Sequence, residues 1–161
     1  WGQKKFLIFY IVTGIGAGIT HLVITHFRLM SDYESLSPEA ISFAIQNGYD
    51  LLNGSRGPIE FINNSNFVHA VQLINTPTIG ASGSVFGILL AFAMLFPNTK
   101  LMLLFPPIPI KAKWFVLGYG LIELYSGFAN NPNDNVAHFA HLGGMLFGFF
   151  LIKYWNKNDS T

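Results

Sequence analysis

Between Phe6 and Phe27 the chain reads FLIFYIVTGIGAGITHLVITHF, without one charged residue. About 20 mainly apolar residues cross a bilayer as a single helix, so this stretch qualifies as a membrane span. Three further apolar spans follow, at 81–96 (ASGSVFGILLAFAMLF, ending before Pro97), 114–128 and 136–155. The last has an aromatic end that suits a membrane interface. The second and third are short enough to be buried helices of a soluble protein. Composition weighs against that: 51% of the residues are hydrophobic, only 11% are charged, and mean hydropathy is +0.42. Soluble domains carry about 25% charged residues. The expected fold class is an all-α polytopic membrane protein with four spans in one domain.

The charges sort by side. Lys4, Lys5, Lys100, Lys111, Lys113, Lys153 and Lys157 flank the start of span one, the loop after span two and the end of span four. If the chain changes sides at each span, these positions share one face. The other face receives Arg28 and Arg56 among Asp32, Glu34, Glu39, Asp50, Glu60 and Asp134. Basic loops stay inside, so both ends of this chain are expected in the cytoplasm and residues 28–79 outside. Net charge is +1, which leaves no basic face for nucleic acid. The absence of cysteine excludes disulfides, thiolate metal sites and a cysteine nucleophile. The chain begins Trp1-Gly2-Gln3, no signal peptide is read, and the natural N-terminus is expected upstream.

Residues 28–79 are too many for a bare loop. Ser37-Pro38-Glu39 reads as an N-cap and first-turn proline. An amphipathic helix then runs to about Asn53 with Ile41, Ala44, Ile45 and Leu52 on one face and Gly54 as its stop. A weaker helix is expected over about 59–74. FPPIPIKAKW, with its three prolines, reads as an extended connection. No internal repeat is evident.

TIGASGSVFG, at 78–87, raises the question of chemistry. Small residues in a membrane helix ordinarily mean close packing, and Gly83/Gly87 and Gly144/Gly148 have that spacing. A serine in an apolar medium becomes a nucleophile only if a base takes its proton. Span four offers His138 and His141, three apart and on one face. Intramembrane ionisable groups are costly and point to function. Ser82, in the first turn of span two, and His141, roughly 8 Å below Val136 at about 1.5 Å per residue, fall at similar depth. The helix N-terminus offers unpaired N–H groups to an oxyanion, starting with that of Ser82. Gly80 and Gly83 let the backbone bend and a substrate come close. Phe86, one turn on, is placed to pack on an imidazole. His138 and His141 could instead be a metal pair, but no third ligand stands out, and no metal or other cofactor is expected.

GASGSVFG followed by AHFAHLGGMLFGFF resembles the rhomboid intramembrane serine proteases. That family carries Gly-x-Ser-Gly at the start of one membrane helix and His-x-x-Gly-x-x-x-Gly in the last helix of its core. Here these are Gly80-Ala81-Ser82-Gly83, and His141 with Gly144 and Gly148. The resemblance implies a dyad of Ser82 as nucleophile and His141 as general base, without a third acid. It selects His141 over His138, because only His141 has the glycine spacing after it. It implies Phe86 stacked on His141, a close approach of the two helices at Gly144 and Gly148, and a site opening to the outer face. Cleavage of transmembrane protein substrates in a bilayer, without cofactor, follows from it. WGQKKFLIFYIVTGIGAG and FPPIPIKAKW also look like rhomboid connecting segments, so the resemblance covers most of the chain. The oligomeric state is not read.

Two departures stand out. The rhomboid core has six membrane helices, and four are found here. The helix with the family's His-x-x-x-Asn oxyanion motif has no counterpart, and His21 and His26 do not replace it. The resemblance therefore implies a C-terminal part with an incomplete oxyanion hole. The 28–79 segment is long for the family. It reads as a tolerated outer-face insertion, or as a surface element that influences substrate access. Glu123, the one acid inside a span, is not catalytic by the resemblance. It is expected to face the bundle or water, with Tyr125 and Ser126 nearest in sequence. The alternative function is a non-catalytic relative that binds transmembrane segments, though such relatives usually lack part of the dyad. A transporter fragment would show repeated halves. A soluble Gly-x-Ser-x-Gly hydrolase would need glycine at Ser84.

Overall fold

The computed structural model describes residues 1–75, 81–102, 107–129 and 137–158. Seven helices and one short hairpin are formed among them: α1 (Gly2–Tyr33), α2 (Pro38–Leu52), α3 (Ile59–Ile62), α4 (Ser65–Asn75), α5 (Ser82–Leu95), β1 (Lys100–Met102), β2 (Pro109–Lys111), α6 (Ala112–Ala129) and α7 (His138–Asn158). The chain forms two compact units, one of Trp1–His21 with Gly80–Thr161 and one of Leu22–Ile79.

In the first unit, α1 is the helix among the described residues that is long and apolar enough to cross a membrane. Ile8, Ile11, Ile15 and Ile19 stand exposed on it, as suits a helix whose solvent is lipid. Its opposite face enters the core. Phe9 is fully buried beside Ala91 of α5 and Ile152 of α7. Trp1 closes the end of this cluster, its ring 4.9 Å from Phe9 and edge-on to Trp155 at 5.4 Å. A second cluster joins α5 to α6 through Ala93, Ala112 and Val116.

The α5–α7 seam is made by absent side chains. A methyl on Gly144 would run into the backbone carbonyl of Gly83. One on Gly87 would lie 2.9 Å from the Gly144 oxygen, and one on Gly148 would lie 3.3 Å from the Gly87 oxygen. Small residues let membrane helices meet backbone to backbone, and here both partners are glycine. Polar groups where α1 meets α5 are satisfied. Ser84 is buried and donates its hydroxyl to the Tyr10 carbonyl at 2.8 Å, while Thr13 donates to Phe9 at 2.8 Å. The described part of the proline-rich connection is extended, and it also pairs. Leu101 lies opposite Ile110 in an antiparallel β1–β2 ribbon, which the prolines alone did not signal.

In the second unit, α2 starts and stops where its sequence says. The Ser37 hydroxyl accepts the Ala40 N–H at 3.2 Å, Pro38 opens the helix, and Gly54 follows it at φ +93°, a left-handed stop that glycine adopts without strain. The buried face is only partly the one expected. Ala44 is buried as expected, together with Ala40 and Gly48, whereas Ile41 is half-buried and Ile45 and Leu52 are exposed. Small residues face inward because α4 brings the large ones, Phe67 and Val71. The helix expected over 59–74 is two, α3 and α4. The Asn64 side chain accepts the N–H groups of Asn66 and Phe67 at 3.0 and 3.3 Å, which starts a new helix.

Candidate active site

Helix α5 begins at Ser82, with Ala81 as its cap residue and no side chain capping it. Its first backbone bond runs from the Val85 N–H to the Ala81 carbonyl. The N–H groups of Ser82, Gly83 and Ser84 therefore have no acceptor within the helix, and the positive end of the dipole lies at Ser82. Ser82 is exposed and Ser84 is buried against α1, so only the first is open to a substrate. Gly83 stands inside the helix. A methyl there would meet Ala17 and lie 3.2 Å from the Ala140 carbonyl oxygen, so its small size serves packing and not a bend. Gly80 lies outside the described residues, as does Val136, the expected start of the fourth span.

Helix α7 begins at His138, which puts His141 in its first turn. The seam carries this turn to the start of α5. The Ser82 Oγ and the His141 Nε2 are 2.9 Å apart, and His141 is only 8% exposed. Phe86 lies flat on the imidazole, with ring centres 4.1 Å apart and planes 7° from parallel. The structure thus brings together Ser82, His141, Phe86, Gly83, Gly144 and Gly148.

It also brings in a residue that the sequence left aside. Glu123, on α6, is buried at 6% exposure, and its neighbours are neither Tyr125 nor Ser126. Its Oε2 lies 2.9 Å from the Nδ1 of His141 and 2.7 Å from the Nδ1 of His138. Tyr125 is exposed. A signal existed: two histidines three apart opened one span, and the lone acid stood near the end of the span before it. Antiparallel neighbours joined by a short connection bring such ends together. Glu123, His138 and His141 also supply the third potential metal ligand that the sequence reading lacked, their ligand atoms lying within 4.8 Å of one another. Tetrahedral zinc with bonds of 2.0–2.1 Å keeps its ligand atoms roughly 3.3 Å apart. The oxygen–nitrogen distances here are shorter and are those of hydrogen bonds.

A hydroxyl touching an imidazole, and the imidazole touching a carboxylate, is an arrangement suited to acyl transfer. The family model described as "Rhomboid domain" matches residues 59–157, more than half of the chain. The match starts within the polar segment and runs through both histidines. The chain is also 35% identical over 81 residues to "Rhomboid protein 1, mitochondrial" of Saccharomyces cerevisiae. That alignment covers 50% of this chain and 23% of the yeast protein, so the chain spans about a quarter of that relative's length. No solved structure matches.

Proposed function

The chain belongs to the rhomboid family, and on that premise we propose that it is the catalytic part of an intramembrane serine protease whose nucleophile is Ser82 and whose general base is His141. The observation that carries this is the 2.9 Å approach of Ser82 Oγ to His141 Nε2. The His141 Nε2 takes the hydroxyl proton as Oγ attacks the carbonyl of a substrate peptide bond. The free N–H groups at the start of α5, beginning with that of Ser82, face the negative charge that then develops on the carbonyl oxygen. The imidazolium returns the proton to the leaving amine, and water activated by the same nitrogen hydrolyses the acyl-enzyme.

The substrate class is a transmembrane segment cut near its outer end. Helix α5 has 14 residues, about 21 Å at 1.5 Å per residue, against a hydrocarbon layer of about 30 Å. With the lysines of the following connection held in the cytoplasm, the serine end of α5 lies about 9 Å below the outer face. Hydrolysis at that depth requires a polar recess open to the outside for the water. The lysine asymmetry supports a multi-pass protein of the cell membrane with its C-terminus inside.

The test uses the full-length protein in lipid. A fluorophosphonate is expected to label Ser82, and a membrane-anchored substrate to be cut. Ser82→Ala abolishes both, and His141→Ala lowers cleavage by about 10⁴-fold or more. Equal labelling of Ser82→Ala, or undiminished cleavage by His141→Ala, refutes the assignment. A protein that binds transmembrane segments and never labels is the non-catalytic alternative.

A further inference from the structure

We propose that Glu123 is a positioning residue of this site, selecting the His141 tautomer that can accept the Ser82 proton, with His138 holding the carboxylate in place. This rests on the protease reading above. An ionised carboxylate only accepts hydrogen bonds. One oxygen, Oε2, lies 2.9 Å from the Nδ1 of His141 and 2.7 Å from that of His138. Both nitrogens must then carry a proton and donate it. A neutral His141 protonated at Nδ1 has its lone pair on Nε2, which is the atom 2.9 Å from Ser82 Oγ. The opposite tautomer would leave Nδ1 a lone pair facing a carboxylate oxygen and Nε2 a proton facing the hydroxyl. It could not act as a base.

The same contact acts later in the reaction. When His141 takes the Ser82 proton it becomes a cation on a side chain that is almost wholly buried. Glu123 is already there, buried and oriented, so the charge is met without rearrangement. No proton moves to Glu123: the transfer runs from Ser82 Oγ to His141 Nε2 and on to the leaving amine. The role of His138 follows from its distance. Its contact to Oε2 is the shorter of the two, and it comes from the helix residue that opens α7. Three elements thus converge on one plane of chemistry. Helix α5 supplies the hydroxyl, α7 the imidazole and α6 the carboxylate. The family resemblance implied a dyad. The chain's own residues make a chain of three with a second histidine as anchor.

The full-length protein in lipid, with ¹⁵N-labelled histidine, tests this. His141 signals are identified by their loss in His141→Gln. In the resting wild type at neutral pH, Nδ1 is expected protonated, with its proton strongly deshielded, and Nε2 bare, with the downfield ¹⁵N shift of a nitrogen that carries a lone pair. Glu123→Gln can turn its amide N–H towards Nδ1, so this tautomer loses its preference. The turnover number and the rate of fluorophosphonate labelling of Ser82 then fall by about 10²–10⁴-fold, with KM little changed. Glu123→Asp restores part of the rate and of the Nδ1 signal, and His138→Gln loses about 10-fold. A wild-type His141 protonated at Nε2 overturns the proposal even if every variant unfolds. So does a folded Glu123→Gln variant that labels and cleaves within about threefold of wild type. A wild-type protein that never labels at Ser82 would instead refute the protease reading itself.

Discussion

The α5–α7 seam and the α2–α4 seam are both lined with small residues, and they use them in opposite ways. In α2–α4, Ala40 and Ala44 receive Phe67 and Val71 from the other helix. Small faces large, and volume is conserved across the contact. In α5–α7, glycine faces glycine, and the Gly83 and Gly144 backbones touch. The first is an ordinary core that could be repacked with other residues of similar total volume. The second fixes the distance between two backbones, and Ser82 and His141 ride on those backbones. A seam that holds a 2.9 Å contact has less room for substitution than one that only excludes solvent.

The contrast can be broken by experiment. The largest effect on the Ser82–His141 pair is expected from Gly144→Ala. Its methyl meets a backbone carbonyl and no flexible side chain that could yield. The helices must separate, which costs about 1–3 kcal/mol or more. A displacement of about 1 Å at the dyad lowers the Ser82 labelling rate about 10²-fold. Labelling kinetics beside a thermal melt check this, and an unaltered rate would mean that the seam does not set the dyad distance. Phe67→Ala comes next. The ring is 1% exposed, and its loss costs about 3–5 kcal/mol locally, read as faster amide exchange in α2 and α4. Exchange that spreads equally to α5 and α7 would erase the distinction. Smallest is Ser37→Ala, about 1 kcal/mol for a lost cap, seen as fraying of the first turn of α2. This variant has a pH signature. The Glu39 carboxyl is held below the usual range by its own backbone N–H and then by the Ser37 hydroxyl. A lowered carboxyl stabilises the fold above the unfolded pKa and loses that contribution as pH falls through the folded value. Ser37→Ala is expected to move Glu39 up towards the ordinary carboxylate value, measurable by NMR titration.

What the sequence makes legible follows the same division. Ser82, His141 and Phe86 are readable because each is tied to local grammar: a helix start, a glycine spacing, one helical turn. The cap of α2 is readable for the same reason. Its buried face is readable only at Ala44, since a partner carrying Phe67 turns Ala40 and Gly48 inward against the pull of Ile41 and Ile45. Glu123 shows the limit most clearly. Its isolation in an apolar span marks it, but its partners lie 15 and 18 positions on. Residues nearby in sequence are poor guides there, because only tertiary contact sets how α6 is turned against α7. The β1–β2 ribbon is hidden likewise, because proline forbids a helix without saying that two extended strands will meet.

The ring of Phe86 lies 7° from parallel to that of His141, and this limits how the base can move. Rotation about its own bond to the ring would drive an edge of the imidazole into the phenyl face. Sliding within the plane keeps the two surfaces in contact throughout. The Ser82 hydroxyl already lies 2.9 Å from the ring nitrogen, and a leaving amine would bind beside it. On the proposed mechanism, the short in-plane shift from one to the other is the motion that this stacking leaves free.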